Sequence, residues 1–185
     1  MSLRVMTWNI QYCQSGSRID DIAAFIRQNT PDIVLLQEIA ISGALAGGLD
    51  QPAELAARTG LPFSTFARDG SFGGGEVGNA VLSRFPLDGT ELILLPNNSD
   101  SSILKTQAVI NSVVHHIYTT HPRGVIAPGN TKKNTDLAVD VLVAGVLNLN
   151  PDHAVIVGGD LNEAPVDRLA DDAHLTDTPA DLDDR

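Results

Sequence analysis

The run Ala154-Val155-Ile156-Val157-Gly158-Gly159, which passes directly into Asp160-Leu161-Asn162, constrains this chain more than any other segment. An apolar run of that length predicts a buried strand. It stops at a carboxylate and a carboxamide two residues apart. If the extended conformation persists, both side chains point the same way and form a compact polar site at the strand's carboxyl end. Standing alone, the segment is most simply an Asp/Asn turn that closes a strand.

Two earlier segments end in the same manner. Residues 3–10 form a short apolar-rich strand with Asn9 near its end, and residues 32–38 form a second that finishes on Gln37 and Glu38. Between them Ile19, Ile22, Ala23 and Ile26 share one helical face, and Pro31 blocks continuation. Strand, helix, strand, with polar groups closing each strand, predicts an α/β domain with its site along one sheet rim. Asn9, Glu38, Asp160 and Asn162 are hard oxygen donors. Such donors suit Mg²⁺ or Mn²⁺, which take few protein carboxylates and keep waters that a phosphate can displace.

Five segments occur in a telling order: Thr7-Trp8-Asn9-Ile10, Leu36-Gln37-Glu38, the stretch from Gly78-Asn79-Ala80 through Ser83-Arg84-Phe85-Pro86, Thr119-Thr120-His121, and Gly159-Asp160-Leu161-Asn162. In that order the chain resembles the endonuclease/exonuclease/phosphatase superfamily of metal-dependent phosphoesterases, from residue 3 to about residue 177. The resemblance implies a four-layer sandwich, two mixed β-sheets face to face with helices outside. It also implies metal binding at Glu38 with Asn9 nearby, and catalytic roles for His121, Asp160 and Asn162. Asn79 is implied near the phosphate, although Gly-Asn also makes an ordinary bend. Members of that family continue to a Ser-Asp-His motif with further strands, and no Ser-Asp-His tripeptide occurs here; the one Asp-His dipeptide, Asp152-His153, follows Pro151 and precedes the last apolar run. Asp172-Ala173-His174 has the wrong spacing and reads as a solvated loop. The expectation is one domain over residues 1–185, either C-terminally incomplete or degenerate, with a raw sheet edge that invites a second chain.

Composition narrows the partners. Nine acidic and two basic residues lie between Asp160 and Arg185, a net −7, against fourteen acidic and ten basic before it, a net −4. Lys132-Lys133 is the only basic pair of note, without aromatics for base stacking. Nucleic acid as a tightly held substrate is therefore disfavoured, and a small phosphoester fits better. One cysteine excludes an internal disulfide and a thiolate metal site. No stretch has membrane-spanning length and no signal peptide is evident, so the cytoplasm is the expected setting.

The remaining elements follow from periodicity. A short helix spans residues 51–59 and stops at Gly60-Leu61-Pro62. Strands are expected at 63–68, 76–84, 89–95, 103–111 and 113–120, with a flexible loop at 69–75, a mobile wall over the substrate or a plain hairpin connection, and a polar loop at 97–102. A long helix starts between residues 130 and 136, runs to about 148, and packs Ala138, Val141, Leu142, Gly145 and Leu149 on a sheet. Trp8 should point away from Asn9 into a core. Of His115 and His116, one faces inward, and His153 and His174 are given no role.

In-line attack of water on a phosphate needs neutralised charge, a positioned nucleophile and a stabilised leaving oxygen. The expected reaction is metal-dependent hydrolysis of a phosphodiester or phosphomonoester, with a nuclease or a non-catalytic binding protein on the same fold as rivals.

Overall fold

The computed structural model describes residues 2–96, 101–122, 133–162 and 164–176. Most of the expected polar loop at 97–102, Lys132 and the acidic run beyond residue 176 lie outside them. Two four-stranded sheets pack face to face. The first has the order β1-β2-β4-β3, from β1 (Val5–Asn9), β2 (Ile33–Ile41), β4 (Gly75–Ser83) and β3 (Phe63–Phe72). The second has the order β5-β6-β7-β8, from β5 (Asp88–Leu94), β6 (Ser102–Ile110), β7 (Val113–Thr120) and β8 (Ala154–Gly159). Both sheets are mixed, because β1 and β2 run parallel, β7 and β8 run parallel, and the other pairs are antiparallel.

Alternation along each strand creates three apolar layers. Ile33, Leu35, Val81 and Ala67 of the first sheet meet Leu104, Ala108, Ile110 and Ile117 of the second, which fills the sandwich. The opposite face of the first sheet, with Val34, Leu36, Ala80 and Leu82, receives α1 (Ile19–Asn29) and α3 (Gln51–Thr59). Helix α1 buries Ile19, Ile22, Ala23 and Ile26, the stripe expected from its spacing. Helix α3 starts on the Asp50 side chain, which accepts from the Ala53 amide, and ends at Gly60 in the left-handed region. Outside the second sheet lie α4 (Asn134–Leu147) and α5 (Val166–Asp172), which pack on Tyr118, Ile103 and Leu95. A minor helix, α2 (Gly43–Ala46), sits in the glycine-containing connection after β2. The four-layer α/β sandwich is thus the observed architecture.

Three readings change. Residues 69–72, expected as loop, are the extended end of β3, and only Gly73 and Gly74 turn the hairpin. Cross-strand pairing to β4 overrides their Gly/Asp/Ser composition. Strand β2 runs past Glu38 to Ile41 through a bulge between Leu36 and Ile39. Finally, Asp172 closes α5 rather than lying in a solvated loop.

Candidate active site

Strand direction decides where the polar strand ends meet. The parallel pair β1–β2 and the parallel pair β7–β8 bring Asn9, Glu38, His121 and Asp160 to one rim of the sandwich. His121 follows β7 on the same parity as Ile117 and Thr119, so its ring faces the first sheet. There it lies between two carboxylates, with Nδ1 3.7 Å from Glu38 Oε1 and Nε2 3.6 Å from Asp160 Oδ2. The His121, Glu38 and Asp160 side chains are 20%, 26% and 35% exposed, open to a ligand yet partly shielded from water.

Each carboxylate is presented differently. Asp160 is fixed from two directions: Asn9 Nδ2 donates to its Oδ2 at 3.0 Å, and the Asn162 amide donates to its Oδ1 at 3.2 Å. Glu38 sits in the β2 bulge with φ of 50°, the left-handed region that costs a non-glycine residue energy. The bulge turns its carboxylate to the rim, and among the described residues no hydrogen bond within 3.5 Å holds it there. Gly158 and Gly159 let β8 approach: a Cβ on Gly158 would lie 2.6 Å from Leu35 Cδ1, and one on Gly159 would lie 2.1 Å from the Thr120 carbonyl.

Asn162 departs from the expected geometry. The chain leaves the extended conformation after Gly159, and Asn162 has φ of 50°. Its side chain does not run alongside that of Asp160. Instead Nδ2 donates to the Pro122 carbonyl at 3.0 Å, the residue after His121, while its own amide closes a turn on Asp160. Asn162 therefore joins the segments that leave the adjacent strands β7 and β8. Asn79 also differs: it is fully buried, and Nδ2 donates to Asp69 Oδ2 at 3.0 Å. That contact ties β4 to β3 within the first sheet, and the burial leaves no exposed edge of Asn79 for a phosphate.

Gln37, noted in the sequence at the end of its strand, is given no role there. It is 1% exposed, and its Nε2 donates to Thr119 Oγ1 at 3.0 Å across the sandwich and to Thr7 Oγ1 at 3.3 Å. A glutamine at the end of an apolar strand was the available signal. His153, given no role, is the partner of His116, with Nε2 of His116 2.9 Å from Nδ1 of His153. His116 is the inward member of the His115/His116 pair; burial, reinforced by His153 and Lys105, lowers its pKa below the ordinary histidine value. Cys13 is fully buried, and burial pushes its thiol up to about 11, which leaves it inert at neutral pH.

The donor set fits a hard divalent cation. Glu38 offers an untethered carboxylate and Asp160 a second one, while the Asn9 carbonyl, which accepts the Gln11 amide at 3.2 Å, retains another lone pair. No cage of three or more His, Cys, Asp or Glu side chains forms among the described residues. Mg²⁺ requires no such cage, since it binds through one or two carboxylates and keeps its waters.

Comparison with known proteins bears on the family and the fold. The sequence model described as the Endonuclease/Exonuclease/phosphatase family matches residues 6–175. An endonuclease/exonuclease/phosphatase from Beutenbergia cavernae DSM 12333 superposes with a TM-score of 0.63 at 25% identity, covering 89% of this chain and 49% of that one. Sphingomyelinase C from Streptomyces griseocarneus gives 0.67 at 22% identity over 98% of this chain and 72% of its own. D. rerio TDP2 complexed with single strand DNA product gives 0.66 at 18% identity over 96% and 66%. The chain thus spans about half the length of the Beutenbergia protein. No curated protein gives a match. With the family model covering most of its length, the chain belongs to the endonuclease/exonuclease/phosphatase family.

Proposed function

We propose that this chain is a Mg²⁺- or Mn²⁺-dependent phosphoesterase that hydrolyses a small phosphodiester or phosphomonoester by in-line attack of water, with residues 1–185 acting as one domain. Members of the family are hydrolases of phosphoesters and are generally dependent on a divalent metal. The observation that carries the reading is the imidazole of His121 between the carboxylates of Glu38 and Asp160, with Asn9 holding Asp160.

Glu38, with Asn9 beside it, would hold the cation, which supplies neutralisation of a phosphate oxygen and of the leaving oxygen. Asp160, its two oxygens oriented by Asn9 and Asn162, aligns the attacking water and accepts its proton. His121 donates a hydrogen bond to the charge that develops on the phosphoryl group. Asn162 keeps the His121–Pro122 segment against Asp160 through the Pro122 carbonyl.

The formal charge of −11 favours a small substrate over a nucleic acid, because phosphate-tracking surfaces are basic. No helix among the described residues is long and apolar enough to cross a membrane. A cytoplasmic setting is part of the same reading. So is self-association through the exposed edge of the second sheet.

The test is hydrolysis of bis-p-nitrophenyl phosphate and p-nitrophenyl phosphate by chelator-treated protein, with Mg²⁺ or Mn²⁺ restored. Cleavage of at least one ester, dependent on added metal and abolished in Glu38→Gln, is expected. Metal binding without turnover on any phosphoester would favour the non-catalytic rival.

A further inference from the structure

Beneath the rim runs a belt of buried and part-buried polar contacts that the proposed reaction does not use. It begins at the β2 bulge. Leu36 pairs with Ala80 and Ile39 with Gly78, so Gln37 and Glu38 together oppose the single residue Asn79. Asn79 is fully buried and donates to Asp69 Oδ2 at 3.0 Å. Asp69 lies in a second bulge, between Arg68 and Gly70 of β3, and its other oxygen accepts the Ser102 hydroxyl from β6 in the opposite sheet. The Ser102 carbonyl accepts Thr120 Oγ1 at 2.7 Å, and Thr120 immediately precedes His121. A Cβ at Gly78 would lie 2.0 Å from the Ala67 carbonyl and 3.0 Å from the Asp69 amide, so the two bulges close on each other without slack.

From this we infer that Asp69 and Asn79 are positioning residues that set the separation of Glu38 and His121. The inference rests on the reading of those two side chains as the active pair. A bulge held at positive φ by a glutamate is maintained only where its surroundings over-determine it, and a one-residue slip would turn Glu38 to the other face. Asn79 is the residue opposite that slip point. Asp69 anchors Asn79, and through Ser102 and Thr120 it ties the bulge to the strand that carries His121. The Gln37–Thr119 bond is a second crossing one residue away. Being fully buried, Asn79 acts through Glu38 and not on a substrate.

Steady-state hydrolysis of bis-p-nitrophenyl phosphate with saturating Mg²⁺, together with the ¹H–¹³C resonance of the His121 Cε1 position, tests the idea on the full chain. Asp69→Asn and Ser102→Ala should each lower kcat about 10- to 100-fold, as expected for ångström-scale misplacement, with KM within about twofold. The His121 resonance, single in the parent, should broaden or split in both. The exchange variant Asp69→Asn/Asn79→Asp restores one carboxylate–carboxamide pair and should recover most of kcat and the single resonance. In a Glu38→Gln background, Asp69→Asn should add little, because both act through one group. A folded Asp69→Asn with unchanged kcat and a single resonance would overturn the inference, as would losses that add in full to those of Glu38→Gln. Should Asp69→Asn not fold, Ser102→Ala decides by the same two readouts. If the parent hydrolyses no phosphoester, the proposed function falls, and the His121 resonance alone decides this inference: splitting supports it and its absence overturns it.

Discussion

In the first sheet a parallel pair, β1 with β2, adjoins the antiparallel strands β4 and β3; in the second, β8 with β7 adjoins β6 and β5. Each sheet sends two candidate site residues to the shared rim, Asn9 and Glu38 from one and His121 and Asp160 from the other. Their cover differs. The residues of β2 from Ile33 to Gln37 are all buried, alternately in the sandwich and under α1 and α3, whereas all six residues of β8 are only partly buried. Helix α4 has apolar residues on most of its surface, whereas α1 keeps its buried residues on one face; each leaves one large apolar side chain out, Leu147 at 56% and Phe25 at 48% exposed. The difference shows that the two half-sheets that meet at the candidate site are not equally covered. A well-covered platform and a few cross-sandwich bonds can register the less covered half.

The sharpest way to break the comparison is to remove one carboxylate from each sheet. Glu38→Gln and Asp160→Asn should each reduce turnover about 10²- to 10⁴-fold if both halves take part in the chemistry. Glu38→Gln should also weaken Mg²⁺ binding by calorimetry, while Asp160→Asn should leave substrate affinity nearly unchanged. Retained turnover in either would reduce the site to a single sheet.

Stability should expose the unequal cover. Leu35, 1% exposed in the sandwich core, should cost about 2–5 kcal/mol on truncation to Ala. Val157, partly buried on the edge strand, should cost less, about 1 kcal/mol, since part of its apolar surface already meets water. Denaturant midpoints measured on the two variants would remove the contrast if they coincided.

A smaller effect belongs to the second sheet alone. The folded-state pKa of His116 lies below its unfolded value of about 6.5. The unfolded chain therefore binds the proton first, and this contribution to stability is full above the unfolded pKa and lost as pH falls through the folded one. Thermal unfolding at about pH 7 and about pH 5 should show a larger drop for the parent than for His116→Phe, which removes the titrating ring. Equal drops would take His116 out of the account. The smallest effect is expected at the Arg68–Glu76 pair on the β3–β4 hairpin, both side chains about half exposed: about 0.5 kcal/mol or less in a double-mutant cycle.

Strands, helices and the polar strand ends were legible in the sequence because each is written in local periodicity. The α1 stripe, the run 154–159, and the order of Asn9, Glu38, His121 and Asp160 needed no tertiary knowledge to be noticed. The conformation after Gly159 was not legible. Asp160-Leu161-Asn162 can continue a strand or close a turn, and the hydrogen bond from Asn162 to Pro122 that favours the turn comes from a segment forty residues away. Residues 69–72 read as loop by composition, yet pairing with β4 makes them strand.

By itself, then, the sequence determined which residue types stand at the strand ends and that the strands alternate with helices, because burial periodicity and turn chemistry act over a few residues. Tertiary structure alone decided that β2 is central and β8 lies at an edge, although both are apolar runs of similar character. It alone decided that Glu38 turns outward at a bulge, that Gln37 and Asn79 are braces, and that His116 finds His153. Each depends on strand order and register, which are set by contacts between segments tens to more than a hundred residues apart, and side-chain alternation carries no record of which neighbour a strand will choose.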